Sequence, residues 1–231
     1  MKLKYTLLAA VGLSFFTSGA FAQTPVPQTQ PLTPQQLEVA KEKAIASKDL
    51  VNQPNMTPQL LETMKQRAAQ GDVVAQSLLG QVYQNGKYGV KKNYFTARDW
   101  YEKAAAQGNV ASMINLGDMY QKGLGVPKSY SKAKELFEQA AAKGDAVAQY
   151  NLGVMYQDGR GVKKDGKKAL EWYNKSAAQG YGDAYNNTGA IYEHGINVSS
   201  SKKAAEENYQ KACENNSKQG CINYKRLHDK K

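Results

Sequence analysis

Residues 152–156 read Leu152-Gly153-Val154-Met155-Tyr156, and three close variants of this pentapeptide occur elsewhere in the 231-residue chain. The variants are Leu79-Gly80-Gln81-Val82-Tyr83, Leu116-Gly117-Asp118-Met119-Tyr120 and Thr188-Gly189-Ala190-Ile191-Tyr192. Their final tyrosines are spaced 37, 36 and 36 residues apart. A fixed period of this size is typical of stacked supersecondary units. The sequence therefore predicts a repeat architecture with an extended binding surface rather than one globular core.

The residues around the third copy predict two helices joined by a turn. Leu152 and Met155 belong to an apolar pattern at helical spacing, which predicts a first helix, here called helix A. The glycines in residues 158–162 interrupt that pattern, and a second apolar pattern over residues 167–178 predicts helix B. Gly180 then ends helix B and starts the next copy. The predicted fold class is therefore all-α, a solenoid of helix–turn–helix repeats.

The glycine of each copy is expected to mark the closest approach of helix A to helix B, because it has no side chain. These glycines are Gly80, Gly117, Gly153 and Gly189. The tyrosine three residues later would fill the adjoining space. We therefore expect most of the fifteen tyrosines to be core residues, beginning with Tyr83, Tyr120, Tyr156 and Tyr192.

The third copy also carries a longer pattern. It reads Ala148…Leu152-Gly153…Tyr156…Gly159-Arg160-Gly161-Val162, then Lys168-Ala169…Trp172-Tyr173-Asn174-Lys175-Ser176-Ala177. This pattern resembles the Sel-one-like repeat, a relative of the tetratricopeptide repeat, and the resemblance extends over about residues 68–228. The resemblance implies a right-handed α-solenoid that binds other proteins.

The N-terminal residues have the features of an export signal. Lys2 and Lys4 precede an apolar stretch over residues 5–16, and Ala20-Phe21-Ala22 has the small-x-small form of a signal-peptidase site. The apolar stretch is shorter than an ordinary membrane span. We therefore expect cleavage after Ala22 and a periplasmic or secreted protein without a membrane span.

The repeat period and the export signal together predict the boundaries along the chain. A signal peptide occupies residues 1–22, and a flexible leader rich in Pro, Gln and Thr occupies residues 23–33. An N-terminal helical cap comes before four repeats, and a capping helix follows them. In order, the cap, the four repeats and the final helix span 34–70, 71–107, 108–143, 144–179, 180–216 and 217–231.

The two cysteines of the chain, Cys213 and Cys221, lie near its C-terminus. Export makes a structural disulfide chemically reasonable. The alternative, a redox-active pair, is disfavoured because the two residues do not form a Cys-x-x-Cys motif. Their spacing is similar to that in cysteine-rich members of the same family. That resemblance implies a bridge from the last helix B to the following helix A, at the end of the solenoid.

The formal net charge is +11 at pH 7, and many basic residues fall near the turns between helices A and B. The third repeat carries four of them close together, Lys163, Lys164, Lys167 and Lys168. Because the A–B turns of a solenoid emerge along one edge, we expect a basic ridge there. The ridge is either a solvated edge or a surface for an acidic protein, an anionic lipid or a cell-wall polymer. Export argues against nucleic acid as the partner.

The helix-A positions that are not used for packing are expected to line the concave surface of the solenoid. The resemblance to tetratricopeptide repeats implies that these positions hold the ligand. They combine amide side chains with apolar ones, a mixture that protein interfaces favour. The predicted partner-binding residues are Ile114, Asp118, Gln121, Tyr150, Val154, Gln157, Asn186 and Glu193.

The sequence offers little for catalysis. Its two histidines, His194 and His228, have no metal-ligand spacing, and we find no nucleophile motif. We therefore predict no catalytic residue, metal or cofactor. The predicted function is a non-catalytic, exported protein–protein interaction module of the bacterial envelope, with one or more protein partners. One alternative is a periplasmic immunity protein that neutralises a secreted antibacterial toxin. The other, suggested by cysteine-rich relatives, is a β-lactam-binding or β-lactam-hydrolysing enzyme.

Overall fold

The computed structural model describes residues 57–229, and this part of the chain folds into ten α-helices without a strand. The helices are α1 (Pro58–Ala69), α2 (Val73–Asn85), α3 (Tyr94–Ala106), α4 (Val110–Lys122), α5 (Tyr130–Ala142), α6 (Ala146–Asp158), α7 (Gly166–Ala177), α8 (Gly182–His194), α9 (Lys202–Glu214) and α10 (Lys218–His228). The predicted signal peptide, the leader and residues 34–56 of the predicted cap lie outside the described residues.

The helices pack in chain order. Helices A of the four repeats are α2, α4, α6 and α8, and helices B are α3, α5, α7 and α9. Each helix A packs on the helix B that follows it, and that helix B packs on the next helix A. At the two ends, α1 packs on α2, and α10 packs on both α9 and α8. The prediction of an all-α solenoid is confirmed.

Short polar side chains and glycines set the ends of the helices. Asp145 begins α6, where its carboxylate accepts a hydrogen bond from the main-chain N–H of Ala148. Asn93 and Ser129 begin α3 and α5 in the same way. Every helix A of the four repeats ends at a glycine with a left-handed backbone, which favours glycine over other residues: Gly86, Gly123, Gly159 and Gly195. These signals place the A–B turn at the same point of each repeat.

The glycine in the middle of each helix A faces an aromatic ring from helix B. A Cβ atom added to Gly153 would lie 2.5 Å from the ring of Tyr173, well inside van der Waals contact. The other three pairs are Gly80 with Tyr101, Gly117 with Phe137, and Gly189 with Tyr209. The prediction that these glycines mark the closest approach of the two helices is confirmed.

The aromatic residues that fill the core differ from the sequence prediction. The helix-B rings are fully buried: Tyr101, Phe137, Tyr173 and Tyr209. The helix-A tyrosines that we expected in this role are only half-buried: Tyr83, Tyr120, Tyr156 and Tyr192. That expectation was wrong because the space left by each glycine is filled from the opposite helix. The helix-A tyrosines pack at the edges of the core clusters instead.

Thr188 is expected to reduce the stability of the fourth repeat. It occupies the position of Leu79, Leu116 and Leu152 in the other copies, it is buried, and its Oγ1 atom has no hydrogen-bond partner within residues 57–229. Thr188→Val keeps the shape and removes the buried hydroxyl, so it should raise the free energy of unfolding by about 1 kcal/mol. Chemical denaturation followed by circular dichroism measures this change.

The control is Thr188→Ser, which keeps the hydroxyl and removes a methyl group. This variant should be less stable than the original protein because it leaves a small void in a packed core. A Thr188→Val protein that unfolds at lower denaturant concentration than the original would contradict the interpretation.

Candidate functional site

Four of the predicted partner-binding residues lie around one cavity. The cavity has a volume of about 550 Å³ and is bounded by side chains of α4, α5, α6 and the A–B turns that follow α4 and α6. Asp118 and Gln121 of α4 and Tyr150 and Val154 of α6 form part of its wall. The structure thus brings these four residues together at the junction between repeats 2 and 3.

Ile114 has a different environment. It is half-buried, and it packs against the core cluster that contains Phe137 and Met155. Its side chain therefore contributes to the contact between repeats, and the wall of the cavity does not include it.

The polar column at the end of the helices A is used inside the fold. Gln84, Gln157 and Glu193 each accept a hydrogen bond from a helix-B tyrosine, at 2.6 Å from Tyr101, 2.9 Å from Tyr173 and 2.7 Å from Tyr209 respectively. We expected Gln157 and Glu193 to be free of packing roles, and this expectation was wrong. The sequence shows which face a residue occupies, but it does not show that a buried tyrosine hydroxyl needs an acceptor there.

Gln121 is the exception in this column. Helix B of its repeat carries Phe137 where the other three repeats carry tyrosine, so the helix-B hydroxyl that engages the counterparts of Gln121 is missing here. The Oε1 atom of Gln121 is buried and has no hydrogen-bond partner within the described part of the chain. Gln121 therefore differs from its three counterparts because its acceptor oxygen receives no hydrogen bond from helix B.

Tyr150 connects the cavity to the junction between repeats 3 and 4. Its ring centroid lies 5.7 Å from that of Tyr173 and 5.1 Å from that of Tyr181. Its hydroxyl accepts a hydrogen bond from Asn187 at 3.3 Å. Burial raises the pKa of the Tyr150 hydroxyl, so it is neutral and able to donate at physiological pH. Tyr150 is thus a fixed wall of the cavity.

The predicted residues of the fourth repeat are covered by the C-terminal helix. The side-chain amide of Asn223 in α10 donates to Asn186 at 2.9 Å. Arg226, also in α10, donates to both carboxylate oxygens of Glu193, at 2.7 and 2.6 Å. Asn186 and Glu193 therefore hold the chain's own terminal helix. A sequence signal for this contact exists, because asparagine recurs every 36 residues at 115, 151, 187 and 223.

Glu193 is expected to make stability depend on pH in the acid range. Hydrogen bonds from Arg226, and a further one from Tyr209, lower the pKa of Glu193 from 4.5 to about 2. Its contribution is therefore fully present above about pH 4.5 and is lost as the pH falls through about 2. Glu193→Gln should lower the free energy of unfolding by about 1–2 kcal/mol at neutral pH.

The measurement is the Tm of the original protein and of Glu193→Gln across this pH range. The difference between them should be constant at neutral pH and should shrink as the pH falls from 4.5 to 2. Glu62→Gln is a suitable control, since within residues 57–229 Glu62 forms only an exposed ion pair with Lys65. A Tm difference that stays constant down to pH 2 would show that the charge of Glu193 is not involved.

The four lysines of the predicted basic ridge are exposed. Lys163 and Lys164 lie in the turn after α6, and Lys167 and Lys168 lie in the first turn of α7. The Lys168 ammonium group is 5.4 Å from the centroid of the Tyr156 ring. This arrangement leaves the charges accessible to a partner, and their role remains a prediction.

A disulfide joins Cys213 of α9 to Cys221 of α10, with the two Cα atoms 4.4 Å apart. It links the last helix B to the terminal helix, as the resemblance to cysteine-rich proteins implied. The disulfide holds α10 to α9, and the contacts of Asn223 and Arg226 hold α10 to α8.

Within residues 57–229 no group of three or more His, Cys, Asp or Glu side chains could hold a metal ion. The same residues contain no helix long and apolar enough to cross a membrane. His228 lies 3.0 Å from Glu206 on the surface and stacks on Tyr224.

These features define a helical-repeat protein in which side chains that differ from one repeat to the next surround a cavity between adjacent repeats. The sequence profile of the Sel1 repeat matches residues 73–109, 110–145, 146–181 and 182–217. The chain therefore belongs to the Sel1 repeat family, whose repeats generally serve as non-catalytic scaffolds for protein–protein interaction.

Solved structures show the same fold. The protective antigen c5321, present in uropathogenic Escherichia coli strains, has a Sel1-like repeat (SLR) fold. It is 32% identical to this chain, the match covers 74% of this chain, and the TM-score is 0.69. This chain spans only 37% of the length of that antigen. A Sel1 repeat protein from Oxalobacter formigenes is 28% identical, with a TM-score of 0.65 and coverage of 83% of this chain and 72% of the other.

A putative Sel1 repeat protein from Klebsiella pneumoniae subsp. pneumoniae is 23% identical, with a TM-score of 0.54. The match covers 84% of this chain and 97% of that protein. A search of curated proteins gave no match.

Proposed function

We propose that this protein is an exported, non-catalytic protein-interaction module that binds its partner on the concave surface at repeats 2 and 3. The observation that supports the proposal is the cavity of about 550 Å³ surrounded by Asp118, Gln121, Tyr150 and Val154. It combines a fixed aromatic wall with polar side chains, a combination suited to protein recognition. The corresponding positions of repeat 4 are occupied by α10, so the open binding surface lies toward the middle of the solenoid.

The basic ridge would assist this binding. Exposed lysines such as Lys163 and Lys164 attract an acidic partner over a distance and raise its rate of association. Salt should weaken that effect, because it screens charges that are separated by more than about 8–10 Å.

Affinity capture from a bacterial envelope fraction, followed by mass spectrometry and by binding measurements with the purified partner, tests the proposal. The sharpest variant is Val154→Trp, which fills part of the cavity. Phe95→Trp is the matched control, because Phe95 is exposed and lies outside the cavity. Circular dichroism would verify that both variants fold.

We expect the original protein and Phe95→Trp to bind the same partner and Val154→Trp to lose it. A partner that Val154→Trp still binds would place the interaction elsewhere, and failure to bind any envelope protein would contradict the interaction role. A captured toxin would identify the protein as an immunity protein. Turnover of a chromogenic β-lactam by the pure protein would contradict the non-catalytic assignment.

Export is part of the same proposal and is supported by Ala20-Phe21-Ala22 and by the disulfide. The protein isolated from its native cells should be found in the periplasmic or extracellular fraction, with Gln23 as its first residue. N-terminal sequencing checks this. A chain that keeps its first 22 residues in the cytoplasmic fraction would contradict export.

A further inference from the structure

The contact between repeats 3 and 4 shows how a tyrosine hydroxyl links neighbouring repeats. Tyr173 donates a hydrogen bond to Gln157 at 2.9 Å and accepts one from Asn187 at 3.1 Å. Asn187 also donates to the hydroxyl of Tyr150 at 3.3 Å. The amides of Gln157 and Asn187 are therefore both engaged within the chain.

Between repeats 2 and 3 the corresponding positions hold different residues. Phe137 stands in place of Tyr173 and Ile114 in place of Tyr150, while Gln121 and Asn151 correspond to Gln157 and Asn187. Neither Phe137 nor Ile114 has a hydroxyl. The two amides at this junction therefore lack the partners that their counterparts have one repeat later, and the Oε1 atom of Gln121 is buried without any partner in the described range 57–229.

Both of these amides lie on the wall of the cavity described above. A buried amide oxygen without a hydrogen bond is unfavourable, and no tyrosine holds the Gln121 side chain in place. Rotation of this side chain into the cavity would expose its amide to a ligand at little cost. The junction between repeats 2 and 3 thus lacks the helix-B hydroxyl and also carries the cavity.

The charges around the cavity favour an acidic ligand. Three cationic side chains, Lys122, Lys128 and Arg160, surround it together with one carboxylate, Asp118. Lys122 pairs with Asp118 and Arg160 with Asp158, both at 2.7 Å. These ion pairs are partly exposed, so they are weak and can be exchanged for contacts to a ligand.

We propose that this cavity binds an acidic peptide segment of a partner protein. In this arrangement Gln121 and Asn151 form hydrogen bonds with the main chain of the segment, since a side-chain amide can donate and accept as a peptide group requires. Lys128 and Arg160 pair with carboxylates of the segment. The inference rests on the proposed function and adds to it the chemistry of the partner and the role of Phe137, whose missing hydroxyl leaves the amides free.

Peptide selection followed by a single substitution tests the inference. Random short peptides displayed on phage are selected on the oxidised full-length protein, and the best binders are synthesised as probes. We expect the selected peptides to be enriched in Asp and Glu. Phe137→Tyr supplies a hydroxyl that can donate a hydrogen bond to the Gln121 amide. This variant should raise the Kd of the probe peptides about tenfold. Its Tm should be the same as that of the unmodified protein or higher.

Two further variants and two controls accompany this measurement. Gln121→Ala should raise the Kd by a similar factor. The amide of Gln157 is already engaged by Tyr173, so Gln157→Ala should change the Kd by less than about twofold. Lys128→Gln should weaken binding and reduce its dependence on salt. Lys175→Gln is the control for loss of charge, because Lys175 lies on α7 over Trp172 and outside the cavity.

A direct readout comes from the NMR signals of the side-chain amides. The signals of Gln121 and Asn151 should shift when a probe peptide is added, and the signal of Gln157 should not. Selected peptides without enrichment in Asp and Glu, or a Phe137→Tyr protein with a raised Tm and an unchanged Kd, would overturn the inference. Binding of phosphatidylglycerol vesicles at this cavity in place of peptides would also overturn it.

These outcomes are separate from those for the proposed function. A natural partner that Val154→Trp loses and Phe137→Tyr retains would leave the interaction role intact and overturn the assignment of the amides. Failure to find any natural partner would instead overturn the interaction role, whatever the peptides show.

Discussion

Tyr173→Ala is expected to lower the free energy of unfolding by about 3–5 kcal/mol, the range for truncation of a large buried aromatic side chain. The ring of Tyr173 is fully buried and fills the space over Gly153. Its removal leaves a void between α6 and α7 that rigid helices cannot close. It also leaves the amides of Gln157 and Asn187 without the hydroxyl that they share.

Urea denaturation of the oxidised protein, followed by circular dichroism, measures this loss. Tyr173→Phe separates the two contributions, because it keeps the ring and removes only the hydroxyl. We expect Tyr173→Phe to cost about 1–2 kcal/mol, well below the cost of the alanine variant. An alanine variant as stable as the phenylalanine variant would show that the ring is not a main element of the core.

Removal of the disulfide by Cys213→Ser together with Cys221→Ser is expected to cost about 2–3 kcal/mol. The effect should be local, because each helix of a solenoid depends mainly on its neighbours. In α10 only Gly220 is buried, and the other contacts include Asn223 with Asn186 and Arg226 with Glu193. Without the bridge, α10 should separate from α8 and α9 well before the remaining helices unfold.

Hydrogen exchange measured by mass spectrometry checks this expectation. The amides of α10 should exchange much faster in the double variant, while those of α4 to α7 should be unaffected. A reducing agent should produce the same change in the original protein and none in the variant, which controls for the two serines. Unchanged exchange in α10 would show that its polar contacts alone are sufficient to hold it.

The repeat pattern was sufficient to predict the fold. Residues with a strong local preference, such as the turn glycine Gly159, fix the ends of the helices regardless of distant contacts. The burial of Tyr156 was overestimated for a different reason. Its spacing shows that it points toward the neighbouring helix, but which of Tyr156 and Tyr173 occupies the space over Gly153 depends on how two helices meet.

The candidate site was predicted only in part. Periodicity placed eight residues on one predicted face of the helices A, and four of the eight line the cavity. Gln157 and Glu193 have the same pattern as Gln121 in the sequence, yet hydroxyls from Tyr173 and Tyr209 engage them. The difference depends on one oxygen atom in the paired helix. A pattern read along one helix does not contain this information.

The contact between Gly153 and Tyr173 also limits how such a chain can change by mutation. Any mutation that adds a side chain at Gly153 requires a smaller side chain in place of Tyr173. The codons of these two residues are separated by most of a helical hairpin. Two simultaneous substitutions are rare, so the pair is inherited as a unit. A duplication of one full repeat period keeps a glycine opposite a ring wherever its breakpoints fall, because each of the four repeats carries both.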